Sequence, residues 1–336
     1  MTANGYGTMR SVRLTILAAL LLTACGESRQ GVGTVTSIIV LTTDSVWAAV
    51  GDSILAALEP RIFTVRDERT FEVTQVSPQD PNWQDLRRFR RILTVGTAAD
   101  GWVQPALPRG RDAGQTGVIQ EPDVWARNQL VTAIVLPPGA EATAALPYVE
   151  QAAQAIDSTF RTYVVQRMYL SLPDTALRDS LRRRQGFGIL LPNVYQPLPR
   201  DPTVALFQSS TQVGGDLVRS ILVTSRDGLV PLTPEFALEW RDSIASEQYN
   251  PALISVRDRI QSQPLQLAHG PGVEVQGVWE GQDPTWPMGG PFIARVVHCP
   301  DRNRSYLLDA WLYSPGRQKY EYMIQLQTIL STFECA

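Results

Sequence analysis

VEVQGVWEGQDPTWPMGGPFIARVVH, residues 273–298, holds two apolar strand-like runs on either side of a loop of glycine, proline and tryptophan. VEVQGVW and FIARVVH follow one another with no helix between them, and SYLLDAWLY (305–313) comes straight after. Strands in direct succession pair antiparallel, because a parallel pair needs a long crossover that is usually a helix. Working outward, GFGILLPNVY (186–195), VALFQSS (204–210) and RSILVTS (219–225) read as further strands. Thr233-Pro234-Glu235 starts a helix with a cap, a proline at the first position and an acid in the first turn. Phe236, Trp240 and Ile244 then share one face, and Tyr322, Leu326, Ile329 and Phe333 mark a closing helix. This part reads as an α+β lobe: a mainly antiparallel sheet with helices on one side.

The earlier half has another rhythm. TSIIVLT (36–42) is a buried strand, and Trp47, Val50, Ile54 and Leu58 recur at helical spacing after the capping candidates Thr43 and Asp44. Residues 71–76, RILTV (91–95) and LVTAIVL (130–136) read as strands, and 83–90 as a short helix. A long helix starts at Leu146. Residues 98–122, rich in Gly and Pro, read as a surface excursion. Alternating strands and helices give an α/β lobe. The expected domains are a leader (1–25), a flexible tether (26–35), the α/β lobe (36–172), a connecting helix (173–186) and the α+β lobe (187–336). Each lobe is a sheet covered by helices, and the element order is similar to PsbP-like and Mog1-like sandwiches.

The leader carries Arg10, Arg13 and the apolar run Leu14–Ala24, with no acid before Cys25. Eleven helical residues reach about 16 Å, roughly half of a ~30 Å hydrocarbon core, so the run reads as a secretory signal. Met1 and Met9 are both candidate starts. Leu22-Thr23-Ala24-Cys25-Gly26 resembles the bacterial lipobox, in which the cysteine is acylated and becomes the mature N-terminus. The resemblance implies a membrane anchor through Cys25, with outer-membrane placement and the body in the periplasm. Losing the leader's two arginines shifts the formal net charge from −3 to −5. That balance excludes a nucleic-acid reading built on a basic stripe. Cys299 and Cys335 remain, and an oxidising compartment would let them pair.

SIIVLTTDSVWAAVGDSILAALEP, DVWARNQLVTAIV, GFGILLPNVY, GVEVQGVW with WPMGGPF, and LYSPGRQKYEYMIQLQTIL resemble, in order, blocks of the bacterial lipoprotein family called domain of unknown function 4837. The resemblance spans nearly the whole mature chain and implies an envelope lipoprotein, with no activity, substrate or cofactor.

No constellation in the sequence names a reaction. His269 and His298 are the two histidines, no HExxH, CxxC or GxSxG occurs, and no metal or cofactor is expected. Gly289-Gly290 leads into a strand, whereas phosphate loops lead into a helix. Glu274 and Glu280 share a strand face, solvated in the simplest reading, and with Asp309 they would be the acids of a carboxylate-dependent hydrolase. Trp279, Trp286, Met288, Gly289, Gly290 and Phe292 form the candidate recognition surface. Arg182, Arg183 and Arg184 read as a solvated helix end or a contact for anionic lipid. The expected function is binding or scaffolding in the envelope, partnered by the membrane and by an envelope protein or small apolar ligand. The alternatives are the hydrolase and an apolar-ligand carrier.

Overall fold

The computed structural model describes residues 29–108, 116–198, 201–211, 216–285 and 287–336. The leader, Cys25, tether residues 26–28 and Trp286 lie outside the described residues. The chain packs as two units, one up to Ala57 with Phe71–Ala152, the other Leu58–Thr70 with Ala153–Ala336. Among the described residues no helix is long and apolar enough to cross a membrane.

In the first unit, β1 (Ser37–Leu41) leads into α1 (Asp44–Leu58), whose Val46 N–H donates to the Thr43 hydroxyl at 3.4 Å. The β2–β3 hairpin (Arg61–Ile62, Glu68–Arg69) belongs to the second unit. Next come β4 (Glu72–Val76), the one-turn helix α2 (Trp83–Leu86), β5 (Arg91–Thr97), β6 (Gly117–Pro122) and β7 (Leu130–Leu136). The sheet order is β4-β1-β5-β7-β6, parallel except for β6. Helix-covered parallel strands read as unbroken apolar runs, which is why β1, β5 and β7 stand out in the sequence. β6 corrects the reading of 98–122 as pure excursion. It is an edge strand bounded by Gly117 and Pro122 and buries fully only Ile119, so it carries little apolar pattern. Residues 29–35 are not free tether. Gln30 and Val32 bridge to Arg127 and Phe89, and the Gly31 N–H donates to the Arg127 carbonyl at 2.8 Å.

Helix α3 (Leu146–Met168) runs from one unit into the other. The second unit continues with α4 (Thr175–Gln185), β8 (Phe187–Gly188), β9 (Gln196–Pro197), β10 (Val204–Thr211), β11 (Leu217–Asp227) and α5 (Pro234–Gln248). It ends with β12 (Leu253–Leu267), β13 (Gly270–Gly281), β14 (Gly289–Cys299), β15 (Arg304–Tyr313), α6 (Tyr320–Ser331) and β16 (Glu334–Cys335). The antiparallel sheet has the order β12-β13-β14-β15-β11-β10-β9.

Helices cover both faces of this sheet rather than one. Phe292, Ala294 and Val296 of β14 pack with Ala237, Leu238 and Trp240 of α5. The alternate residues Ile293 and Val297 pack with Met323, Leu326 and Ile329 of α6 and with Leu181 of α4. Opposite faces follow from the period of two along a strand. GFGILLPNVY is also not a strand beyond β8. Ile189 and Leu191 are buried in irregular chain instead, anchored where the Leu190 N–H donates to the Thr332 hydroxyl.

Candidate functional site

The strand residues that flank the conspicuous loop are core, while its described residues Gln282, Pro284, Thr285 and Pro287 are exposed. Trp279 and Phe292 are fully buried under α5, with Trp279 edge-on to Trp311 at 5.3 Å between ring centroids. A Cβ at Gly290 would stand 1.8 Å from the Leu312 carbonyl oxygen, so a bare backbone is a packing requirement there. Met288 accepts the Gly281 N–H at its carbonyl, 2.9 Å away, and its side chain lies against Gly281. Gly289 faces Glu280 across the β13–β14 pair. Two members of the expected aromatic recognition surface are therefore corrected: Trp279 and Phe292 face the interior because strand alternation turns them toward α5. Met288 and Gly289 are half-buried, and Trp286 lies outside the described residues.

The three acids do not converge. Glu274 stands opposite Arg295, while Asp309 stands opposite Ala294 on the other face of the sheet. Glu280 shares the face of Glu274 but sits six residues further along β13, about 20 Å away. Glu274 is also not a solvated acid, being 2 % exposed. Arg295 Nε donates to it at 2.7 Å, and Gln263 and Gln276 donate at 2.9 and 2.8 Å. Burial alone would raise this carboxyl, but the Gln276 bond and the charge and bond of Arg295 outweigh it and hold it below the ordinary carboxylate range. Asp309 accepts from Arg241 Nε at 3.1 Å, and Arg241 Nη1 continues to Asp242, the Leu253 carbonyl and Ser255, each at 3.1 Å. The Arg241 guanidinium carbon lies 3.9 Å from the Phe292 ring centre. Burial drives the Asp309 carboxyl upward against the pull of Arg241. These are two structural ion pairs on opposite faces, and no acid–base couple forms across one bond as glycosidic chemistry requires.

His269 and His298 each meet a backbone carbonyl at 2.8 Å, of Phe333 and Val230 respectively. Cys299 and Cys335 form a disulfide with Cα atoms 5.9 Å apart. Among the described residues, no group of three or more His, Cys, Asp or Glu side chains is placed to hold a metal ion.

A concave apolar site does exist, beside α4. Asp174 caps that helix by accepting the Leu177 N–H at 2.8 Å, and Gly186 in the left-handed region ends it. Leu177 and Leu181, one turn apart, turn toward the sheet, while Arg182, Arg183 and Arg184 are exposed. Between α4 and the β9–β10 edge lies a cavity of about 290 Å³ lined by Leu177, Leu181, Leu198, Leu206 and Phe207, with Ser180, Arg184 and Asp201 among its polar residues. β9 pairs with β10 over only two residues, so most of the β10 edge is left to line the cavity. The wall is anchored from behind. Arg182 Nη1 lies 3.1 Å from the Glu334 carboxylate, β16 pairs with β8, and the disulfide holds Cys335 to the end of β14. Among the described residues Arg183 and Arg184 have no carboxylate partner. The signal for this site in the sequence is the pair Leu177 and Leu181 inside LRDSLRRRQ, hidden by the charges around it.

Residues 232–332 match the family model described as Domain of unknown function (DUF4837). The chain carries a DUF4837 domain. It takes in α5 through α6, so Gly289, Gly290 and Phe292 of the MGGPF run are DUF4837 residues with a packing role. Residues 31–172 match a different model, Domain of unknown function (DUF8532). The expected extent of the DUF4837 resemblance is therefore too wide: DSVWAAVGDS and DVWARNQLVTAIV fall in the DUF8532 region, and GFGILLPNVY falls in neither. Comparison with curated proteins gives no match. Among solved structures, a point mutant of the protein Mog1 is 10 % identical and aligns over 45 % of this chain and 90 % of its own, with a TM-score of 0.31. The Saccharomyces cerevisiae Ran-binding protein Mog1p is 11 % identical over the same shares, with a TM-score of 0.28. A Bacteroides thetaiotaomicron VPI-5482 structure is 9 % identical over 45 % of each chain, with a TM-score of 0.19.

Proposed function

We propose that this chain is a lipid-anchored envelope protein, held in the outer membrane through Cys25 with its body in the periplasm, that binds an elongated apolar ligand beside α4. The apolar cavity of about 290 Å³ carries the binding part of this reading. Its size falls just below the ~300–1,000 Å³ usual for ligand pockets, which suits one chain rather than a two-tailed lipid. The anchor rests on the short apolar leader and the LTACG run, and the Cys299–Cys335 disulfide supports an oxidising compartment. Recognition through the buried Trp279 and Phe292, and hydrolysis by the separated acids, find no support in the geometry.

Two measurements test it. Metabolic labelling with a tagged palmitate should mark the wild-type chain and not Cys25→Ser; label retained on the variant removes the anchor. In envelope vesicles, a hexadecanol bearing a diazirine should crosslink to peptides from 177–185 and 204–207. Leu181→Arg, which fills the cavity with a charge, should abolish that crosslink. Labelling that ignores this substitution comes from the bilayer and refutes the groove.

A further inference from the structure

The same face of the sheet carries a second cavity of about 260 Å³, which shares Gln185 and Pro202 with the apolar one. Its walls are polar. Ser225 stands opposite Tyr306, and Asp227 opposite Arg304, at the ends of β11 and β15, with Thr203 and Thr224 alongside. Arg304 Nη1 and the Tyr306 hydroxyl both approach Gly186, the residue that ends α4. The apolar and polar cavities therefore meet where α4 stops.

Arg304 donates from Nε and Nη2 to one oxygen of Asp227, at 3.1 and 2.9 Å. The Asp227 side chain is 86 % exposed, against 37 % for Arg304. An ion pair with so exposed a partner is weak and open to competition. A guanidinium presents paired donors that match a carboxylate. Arg183 and Arg184, without carboxylate partners among the described residues, add positive charge on α4.

We infer that the polar cavity takes the carboxylate of a single-chain fatty acid whose tail lies in the apolar groove. The inference rests on the groove holding an apolar chain. The shared wall at Gln185 and Pro202 joins tail and head sites, and the small apolar volume admits one tail. The ligand carboxylate displaces Asp227 from Arg304, and the freed aspartate is already in solvent. No covalent step is involved.

The test uses the full-length protein in envelope vesicles and two diazirine probes of equal chain length, hexadecanoic acid and hexadecanol. The wild type should capture the acid more strongly than the alcohol. Arg304→Gln should cut capture of the acid about tenfold, as expected for loss of a charge-assisted bond, and leave the alcohol unchanged. Asp227→Asn, which removes the competing carboxylate, should raise capture of the acid about two- to fivefold. Equal capture of both probes by every variant overturns the head site and leaves the groove standing. Capture of neither probe, or labelling untouched by Leu181→Arg, overturns both readings.

Discussion

The two faces of the seven-stranded sheet are built for different ends. The α5 face is sealed: Trp279, Phe292 and Trp311 interlock, Gly290 lets β14 pass against the Leu312 carbonyl, and Arg241 ties α5 to Asp309, Asp242 and Ser255. The α4 face is closed by α6 over its centre and left hollow at the β10 edge. Aromatics, glycines and charges on the first face serve packing. On the second, a plain charged helix borders the apolar cavity. The conspicuous segment and the segment beside the cavity are different segments.

Changes on the sealed face should cost the most stability. Arg241→Met leaves Asp309 buried without its partner and should destabilise by about 3–5 kcal/mol in chemical denaturation. Adding Asp309→Leu should recover much of that, because an apolar pair replaces an ionic one. A double variant as unstable as the single would show that the pair is not the determining interaction. Gly290→Ala comes next, at about 3 kcal/mol, since the atom in its way is backbone and cannot swing aside. A melting temperature unchanged by this substitution would reopen the loop as a functional surface. Cys335→Ser releases the wall behind α4. A loop with a sequence separation of 36 gives roughly 4 kcal/mol in the chain-entropy model, and capture of the hexadecanol probe should fall with it.

Smaller effects sharpen the contrast. The Glu274 carboxyl is held below its ordinary value of 4.5 in the fold. Its contribution is therefore complete above pH 4.5 and is lost as pH falls through the lower folded value. Glu274→Gln should lose less stability than the wild type between pH 5 and pH 3 in an acid titration of unfolding; parallel curves would remove that role. Arg183→Gln with Arg184→Gln should change stability by no more than about 0.5 kcal/mol, while capture of the fatty-acid probe drops and capture of the alcohol holds. A stability loss without a change in capture would make α4 part of the scaffold alone.

Legibility followed burial, with the edge strand β4 an exception read from its alternation. β1, β5, β7, β10, β11, β14 and β15 could be read because each has neighbours on both sides and an apolar face or two. β12 is the longest strand, and it went unread. It sits at the sheet edge, pairs among the described residues only with β13, and carries Arg257, Asp258, Arg259 and a row of glutamines where a central strand would carry valines. β6, also at an edge, was hidden for the same reason. The acids were visible as residues, but their separation onto two faces depends on a register that spacing within one strand cannot supply. The α4 groove was missed because Leu177 and Leu181 are outnumbered by charge, and because its floor comes from β10, more than twenty residues downstream.

β12 is an edge strand fifteen residues long, and such a border is a template on which a second copy of the chain could add its own strand. Here the pairing with β13 breaks step between Ser255 and Ile260, where Arg257 and Asp258 are exposed, and Pro264 offers no N–H beyond it. At the opposite end of the sheet, β9 is two residues long. The β12 border gives an incoming chain no straight run of donors and acceptors. The same charges and proline that hide β12 in the sequence protect this border of the sheet against growing into a fibre.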